Sequence, residues 1–157
     1  MSFTISGLPV EDFKPLFDLD EDALAARGII RRVATAKPGF PCRIGLRDAE
    51  LGETVLLLNH EHQSADTPYR SSYAIYVSQA AVETWSERDT IPSAMRGRPI
   101  SLRAFSPEGM LVGAEVAMGD ALEAAIARQL AAPNAAYLHA HNAGHGCFVA
   151  RIDRADA

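Results

Sequence analysis

The last third of the chain constrains the fold most tightly, because it alternates pairs of short strands with one helix. Residues 99–105 and 110–118 read as strands, and they flank the turn Ser106-Pro107-Glu108-Gly109. Proline in the second position and glycine in the last are typical of a β-turn, so this stretch is predicted to be a hairpin. Residues 136–141 and 147–152 form a second predicted strand pair after the helix. The resulting β-β-α-β-β unit favours antiparallel pairing, since short turns join its strands.

The helix between the two strand pairs is predicted from its beginning and from its apolar spacing. Asp120 stands at the expected N-cap and Glu123 follows three residues later, which is an acidic analogue of a capping box. Leu122, Ile126 and Leu130 recur at every fourth residue. Side chains with that spacing lie on one side of a helix, so we expect this stripe to face the core.

The last strand pair is predicted to have two different faces. Side chains alternate along a strand, and a five-residue loop over 142–146 would place His141 opposite Cys147 and His139 opposite Val149. One predicted face is then rich in groups that bind, ionise or react: Tyr137, His139, His141, Cys147, Val149 and Arg151. The other is apolar and is expected to meet the helix stripe: Leu138, Ala140, Phe148, Ala150 and Ile152.

The first two thirds of the chain are also predicted to be rich in strands. Five short segments alternate or are wholly apolar, namely residues 3–6, 29–35, 42–46, 53–59 and 73–77. Asp20 precedes an acidic, alanine-rich stretch that predicts a short helix. Residues 63–72 are expected to form a polar loop, and a helical turn is expected at 93–95 within the otherwise unassigned residues 78–97. We therefore predict a single α+β domain over residues 1–157, with a mainly antiparallel sheet and few helices.

Charge and hydropathy exclude some classes of partner. The 157 residues include 20 acidic and 15 basic side chains, and the net charge is −5. Proteins that bind nucleic acid usually carry a basic patch, and none is visible, so we expect no nucleic-acid partner. The aliphatic run over residues 55–58 is far too short to cross a bilayer, and the N-terminus does not resemble a secretory signal. We expect a cytoplasmic protein without a membrane partner.

Two cysteines, Cys42 and Cys147, are expected to be thiols in that compartment. A histidine directly across the strand pair could make Cys147 a nucleophile. The alternative is that Cys147 is a small buried hydrophobic residue, as most unassigned cysteines are.

The histidines raise the question of a metal site. His139 and His141 form a His-x-His pair whose rings point the same way on a strand, and His60 and His62 repeat the pattern near the end of another strand. If the two strand ends were neighbours, four imidazoles could converge on a transition metal. No carboxylate accompanies either pair at the usual spacing, however, so a face that lines a groove without metal is the favoured interpretation. The sequence does not identify a cofactor.

Several segments together resemble a bacterial domain-of-unknown-function family, number 1203. They are Pro41-Cys42-Arg43-Ile44-Gly45-Leu46-Arg47-Asp48-Ala49, Gly52-Glu53-x-Val55-Leu56-Leu57-Leu58, Pro68-Tyr69 and Ala136-Tyr137-Leu138-His139-x-x-Asn142-Ala143…Gly146-Cys147-Phe148. The resemblance implies a single-domain bacterial protein, with no activity attached to it. The family often has arginine where this chain has His141, and it lacks His60-x-His62, which argues against the four-imidazole metal site.

Our leading hypothesis is a domain that binds a small polar or anionic ligand in a groove beside the last hairpin. His139, Asn142 and Cys147 would line the groove, with Arg43 and Tyr69 from the central loops recognising the ligand. Two alternatives remain open at this point. One is a metal- or cysteine-dependent hydrolase or transferase, with His139 and Cys147 as candidate catalytic residues. The other is a self-associating module that pairs through an exposed strand edge.

Overall fold

The computed structural model describes residues 1–155, which form two antiparallel sheets. The small sheet contains β2 (Ile30–Val33), β3 (Thr54–Gln63) and β4 (Ser71–Ser78), paired in that order. The large sheet contains β1 (Phe3–Ser6), β5 (Ser86–Arg88), β6 (Ile100–Phe105), β7 (Leu111–Ala117), β8 (Tyr137–Asn142) and β9 (Phe148–Arg154). Its strand order is β5-β1-β9-β8-β6-β7, so the first strand of the chain lies beside the last. The predicted α+β class with mainly antiparallel pairing is confirmed.

The helices are few and short, as predicted. They are α1 (Val10–Phe13), α2 (Glu21–Ala26) and α3 (Ala121–Ala131), with 3₁₀ turns at Lys14–Asp18 and Ser93–Met95. Asp20 caps α2 by accepting a hydrogen bond from the backbone N–H of Ala23 at 2.8 Å. Asp120, the predicted N-cap of α3, accepts no such bond, and its backbone is already helical, with φ −65° and ψ −17°. Among the described residues, no helix is long and apolar enough to cross a membrane.

The core of the large sheet lies under α3. Leu122, Ile126 and Leu130 are completely buried, and α3 packs against β6, β7 and β8. On the sheet side they belong to the same apolar cluster as Leu138 and Ile152. The predicted stripe and most of the predicted apolar face of the last hairpin are therefore confirmed.

The register of that hairpin differs from the prediction near its loop. A β-bulge between Ala140 and His141 shifts the pairing, so that His141 lies opposite Phe148 and His139 lies opposite Arg151. An extra residue in one strand of a pair changes which side chains face the core from that point on. Val149 accordingly packs in the core, whereas the Phe148 ring lies among the histidines. The predicted pairing of His141 with Cys147 is wrong because the loop is one residue longer than expected, and that of His139 with Val149 is wrong because the bulge adds a second residue of shift.

Two predictions in the middle of the chain are also corrected. Residues 42–46 are not a strand: only isolated bridges join Pro41 to Asp48 and Cys42 to Tyr76, and Leu46 has a positive φ of 49°. The alternation of apolar and polar residues over 42–46 suggested a strand with one exposed face, but Arg43, on that face, is buried. The strand predicted at 53–59 continues to Gln63, and β4 begins at Ser71, so the loop between them is shorter than expected and the histidines at 60 and 62 belong to β3.

Truncation of Ile126 tests the packing of α3. We expect Ile126→Ala to lower the free energy of unfolding by about 2–5 kcal/mol, because the change leaves a cavity in a closed core. Urea denaturation followed by circular dichroism measures it. Ala124→Gln, at an exposed position of the same helix, is the control and should change stability by less than about 0.5 kcal/mol. A cost for Ile126→Ala that is no larger than the control's would contradict the packing described.

Candidate functional site: two cavities beside the last hairpin

Arg43 is the most unusual buried residue of the protein, with only 1% of its surface exposed. Its Nε donates to the carbonyl oxygen of Phe148 at 2.8 Å, its Nη1 to the carbonyl oxygen of Pro41, and its Nη2 to Cys147 Sγ at 2.9 Å. No carboxylate hydrogen-bonds to it within residues 1–155. Burial lowers the pKa of the guanidinium, but an arginine keeps its charge in proteins. The structure therefore buries a positive charge whose closest partners are carbonyl oxygens and a sulfur.

Asn142 and Cys147 stand beside this guanidinium at the two ends of the hairpin loop. Asn142 Nδ2 donates to Cys147 Sγ at 3.4 Å, and the backbone N–H of Asn142 donates to the Cys147 carbonyl oxygen at 2.9 Å. The side-chain oxygen of Asn142 is buried and has no hydrogen-bond partner in the described part of the chain. Buried polar atoms without a partner are rare, so this oxygen is a candidate to accept a bond from a ligand.

A cavity of about 500 Å³ opens in front of these three residues. We call it the arginine cavity. Its polar end is formed by Arg43, Asn142 and Cys147, with Gly144 and His145 from the hairpin loop at its rim. Most of the remaining lining is apolar and comes from Pro41, Leu57, Tyr73, Ala74, Ile75, Tyr76 and Pro99. The cavity thus offers one charged corner and an apolar interior.

The charge of Arg98, the second arginine at this cavity, is already compensated by a carboxylate. Arg98 forms a two-pronged ion pair with Asp48, with Nη1 2.9 Å from Oδ2 and Nη2 2.5 Å from Oδ1. It also donates to the carbonyl oxygen of Ala94. Asp48 therefore balances Arg98 rather than Arg43.

A separate cavity of about 450 Å³ lies beside Tyr137 and His139 of β8. We call it the histidine cavity. His62 of β3 and Tyr137, His139 and Arg151 of the large sheet line it together with Gln63. His62 lies above the hairpin histidines, its ring centroid 4.8 Å from that of His141 and 6.3 Å from that of His139.

Three imidazoles converge here, rather than the four considered from the sequence. The centroid of His60 lies 5.9 Å from that of Phe13 and 6.2 Å from that of Phe148, so His60 packs against aromatic rings instead. No group of three or more histidine, cysteine, aspartate or glutamate side chains in residues 1–155 has an arrangement that could hold a metal ion.

The histidine rings are held in an environment that disfavours their charged form. The pKa of His139 is lowered to about 3, mainly by burial and in smaller part by the nearby His141, His62, Arg151 and Arg103. Burial also lowers the pKa of His141 to about 4, against the opposing effect of a hydrogen bond between its Nδ1 and the Gly146 carbonyl oxygen. The imidazoles are therefore neutral at pH 7. The Nδ1 atoms of His62 and His139 are buried without a hydrogen-bond partner in the described chain.

The residues predicted to bind one ligand are thus divided among three places. Arg43, Asn142 and Cys147 meet at the arginine cavity, and His139 lines the histidine cavity. Tyr69 lines neither cavity; it is exposed and its ring meets that of Phe105 edge-on at 6.5 Å. The partners of the Cys147 sulfur are Arg43 and Asn142, whereas the sequence had suggested a histidine.

Sequence reasoning missed Arg103, which affects all three rings electrostatically. Arg103 lies on β6 opposite His139, and it contributes to the lowered pKa of His62, His139 and His141. Its strand was predicted, but its neighbour across the sheet was not. The order of strands, with β6 beside β8, was the missing information.

A protein-family model covers the segments that form these cavities. The model described as "Protein of unknown function (DUF1203)" matches residues 39–154, a span that includes every residue named at the two cavities. The chain belongs to the DUF1203 family. The resemblance noted in the sequence is thereby confirmed, and neither the comparison with curated proteins nor that with solved structures finds a match.

The buried histidines of this DUF1203 protein should make its stability depend on pH. The pKa values of His139 and His141 in the folded state, about 3 and about 4, lie below the ordinary value of 6.5. The unfolded chain therefore takes up protons first as the pH falls below 6.5, while the folded state resists. The stability that the two neutral rings contribute is present above pH 6.5. By pH 5 each of these two histidines should lower the free energy of unfolding by about 2 kcal/mol.

Urea denaturation at pH 7 and pH 5 measures this loss. In His139→Gln the loss between the two pH values should shrink by about 2 kcal/mol, because one of the rings that the fold holds neutral is gone, while His60, His62 and His141 still titrate. A pH dependence that is unchanged in His139→Gln would show that this ring is not held neutral by the fold.

Proposed function

We propose that this protein binds a small organic anion in the arginine cavity. The observation that carries the proposal is the buried guanidinium of Arg43, which hydrogen-bonds to no carboxylate in residues 1–155. A buried charge is costly unless an opposite charge and hydrogen bonds compensate it. Arginine carries five N–H groups, and three hydrogen bonds leave donors free for a ligand carboxylate or similar anion.

The other polar atoms of the cavity narrow the ligand class. Among the described residues Asn142 Oδ1 has no hydrogen-bond donor, so a hydroxyl or amino group next to the anionic group would complete its hydrogen bonding. The walls at Leu57, Tyr73 and Ile75 favour an apolar body. An organic acid with a hydroxyl or amino group beside the carboxylate and an aromatic or aliphatic remainder satisfies all three requirements.

Three related probes separate these contributions. Mandelate carries a carboxylate, an adjacent hydroxyl group and a phenyl ring; phenylacetate lacks the hydroxyl group; and mandelamide lacks the charge. We expect isothermal titration calorimetry to rank mandelate first. Mandelamide should bind at least about tenfold more weakly, because a charge-assisted pair with arginine is lost. Phenylacetate should bind about fivefold more weakly, the effect of one neutral hydrogen bond.

Asn142→Ala provides the matched variant. The change should remove most of the advantage of mandelate over phenylacetate, because Oδ1 is no longer present to accept from the hydroxyl group. Asn134→Ala, at an exposed position after α3, is the control and should preserve that advantage. Equal binding of mandelate and mandelamide, or the same ratio in both asparagine variants, would overturn the proposal.

A further inference from the structure

Cys147 lines the arginine cavity at the point where the cavity meets the guanidinium of Arg43. Its thiol is free, and 8% of the residue's surface is exposed. Two N–H donors point at the sulfur, Arg43 Nη2 at 2.9 Å and Asn142 Nδ2 at 3.4 Å. Such donors stabilise negative charge, and the thiolate is the nucleophilic form of a cysteine. The surroundings of this sulfur therefore suit a nucleophile.

Cys42, the other cysteine of the chain, has different surroundings. It is only 1% exposed, it belongs to an apolar cluster with Ile44 and Leu56, and it lines neither of the two cavities. Its sulfur accepts a hydrogen bond from the backbone N–H of Ser78 at 3.2 Å. Cys42 thus resembles a structural cysteine, and it serves as an internal reference for Cys147.

The guanidinium beside the sulfur is also the group proposed to bind the ligand anion. Its three hydrogen bonds use one N–H each of Nε, Nη1 and Nη2, so one N–H remains on each terminal nitrogen of Arg43. The buried side-chain oxygen of Asn142, without a partner in residues 1–155, is a second sign of a ligand at this place. Because Nη2 already contacts Cys147 Sγ, a carboxylate held by the same guanidinium brings its neighbouring carbon atoms close to the sulfur.

We infer that Cys147 bonds covalently to small organic acids that carry an electrophilic carbon one or two bonds from the carboxylate; this inference rests on the anion site proposed above. With an α,β-unsaturated acid, the sulfur attacks the β-carbon and a new S–C bond forms. The π pair of the C=C bond moves to the α-carbon, which takes up the proton that the thiol has released. Nothing leaves, and the addition needs no oxidant or reductant. Arg43 holds the carboxylate and so directs the acid to this cysteine.

Iodoacetate and iodoacetamide test this direction, because they differ in the carboxylate alone. With either probe the sulfur displaces iodide, an S–C bond replaces the C–I bond, and the thiol proton passes to the buffer. Mass spectrometry of tryptic peptides gives the rate at each cysteine, and the chain unfolded in urea gives the ratio of the two rates for an undirected thiol. We expect folding to raise the iodoacetate-to-iodoacetamide rate ratio at Cys147 by at least about tenfold, the effect of one charge-assisted contact. Cys42 in the folded protein should react slowly with both probes.

Arg43→Gln should return the ratio at Cys147 to that of the unfolded chain. Arg27→Gln is the matched control, because it removes one positive charge at the exposed end of α2, and it should leave the ratio within about twofold. If Arg43→Gln does not fold, Asn142→Asp takes its place. That variant puts a carboxylate of nearly the same size beside the sulfur, and it should lower the ratio by about tenfold through repulsion of iodoacetate.

Three results would overturn the inference: a Cys147 that neither probe labels in the folded protein, a rate ratio that folding does not raise, or equal effects of Arg27→Gln and Arg43→Gln. Mandelate separates this inference from the proposed function. If calorimetry shows that mandelate binds while the labelling of Cys147 by iodoacetate is unchanged, the anion site stands and the covalent role fails. If mandelate does not bind while Cys147 keeps its preference for iodoacetate, the covalent role stands and the hydroxy-acid ligand class is wrong.

Discussion

The arginine cavity depends on the hydrogen bonds of one buried group, the guanidinium of Arg43. It joins two parts of the chain that are more than a hundred positions apart: its own loop, through Pro41, and the start of β9, through the adjacent residues Cys147 and Phe148. The backbone of the same residue donates to the Tyr76 carbonyl oxygen on β4 at 3.1 Å, and so ties the large sheet to the small one. A buried charged group with several hydrogen bonds fixes the positions of its partners strongly, because losing any one hydrogen bond leaves the buried charge poorly compensated.

Phe148 contacts both the Arg43 guanidinium and the histidine rings. Its carbonyl oxygen accepts from Arg43, while its ring lies parallel to that of His62 with centroids 5.6 Å apart. The bulge at Ala140 and His141 is what turns the ring toward the histidines, since without it Phe148 would face the apolar core. One irregularity in a strand pair thereby places the Phe148 ring against the neutral imidazoles while the Phe148 carbonyl oxygen accepts from the Arg43 guanidinium.

Most of the large sheet could be predicted from the sequence, because the patterns that specify its strands and turns lie within short stretches of the chain. The turn at residues 106–109, the stripe of α3 and the alternation of β8 each depend on neighbours in the chain. Arg43 could not be understood in the same way, since its burial depends on contacts with residues more than a hundred positions away. The same holds for Arg103 and His139, which are brought together by strand order. Grouping Arg43, Asn142 and Cys147 from motif-bearing segments matched the geometry, whereas adding His139 and Tyr69 to the same groove did not.

A crystal structure of the protein with mandelate bound tests the central claim most directly, that Arg43 is a buried charge awaiting an anion. The account predicts the carboxylate of mandelate within hydrogen-bond distance of the Arg43 guanidinium, its hydroxyl group at Asn142 Oδ1, and its phenyl ring against Leu57 and Tyr73. A guanidinium that instead meets a carboxylate of the chain itself, or a mandelate seated away from the arginine cavity, would contradict it.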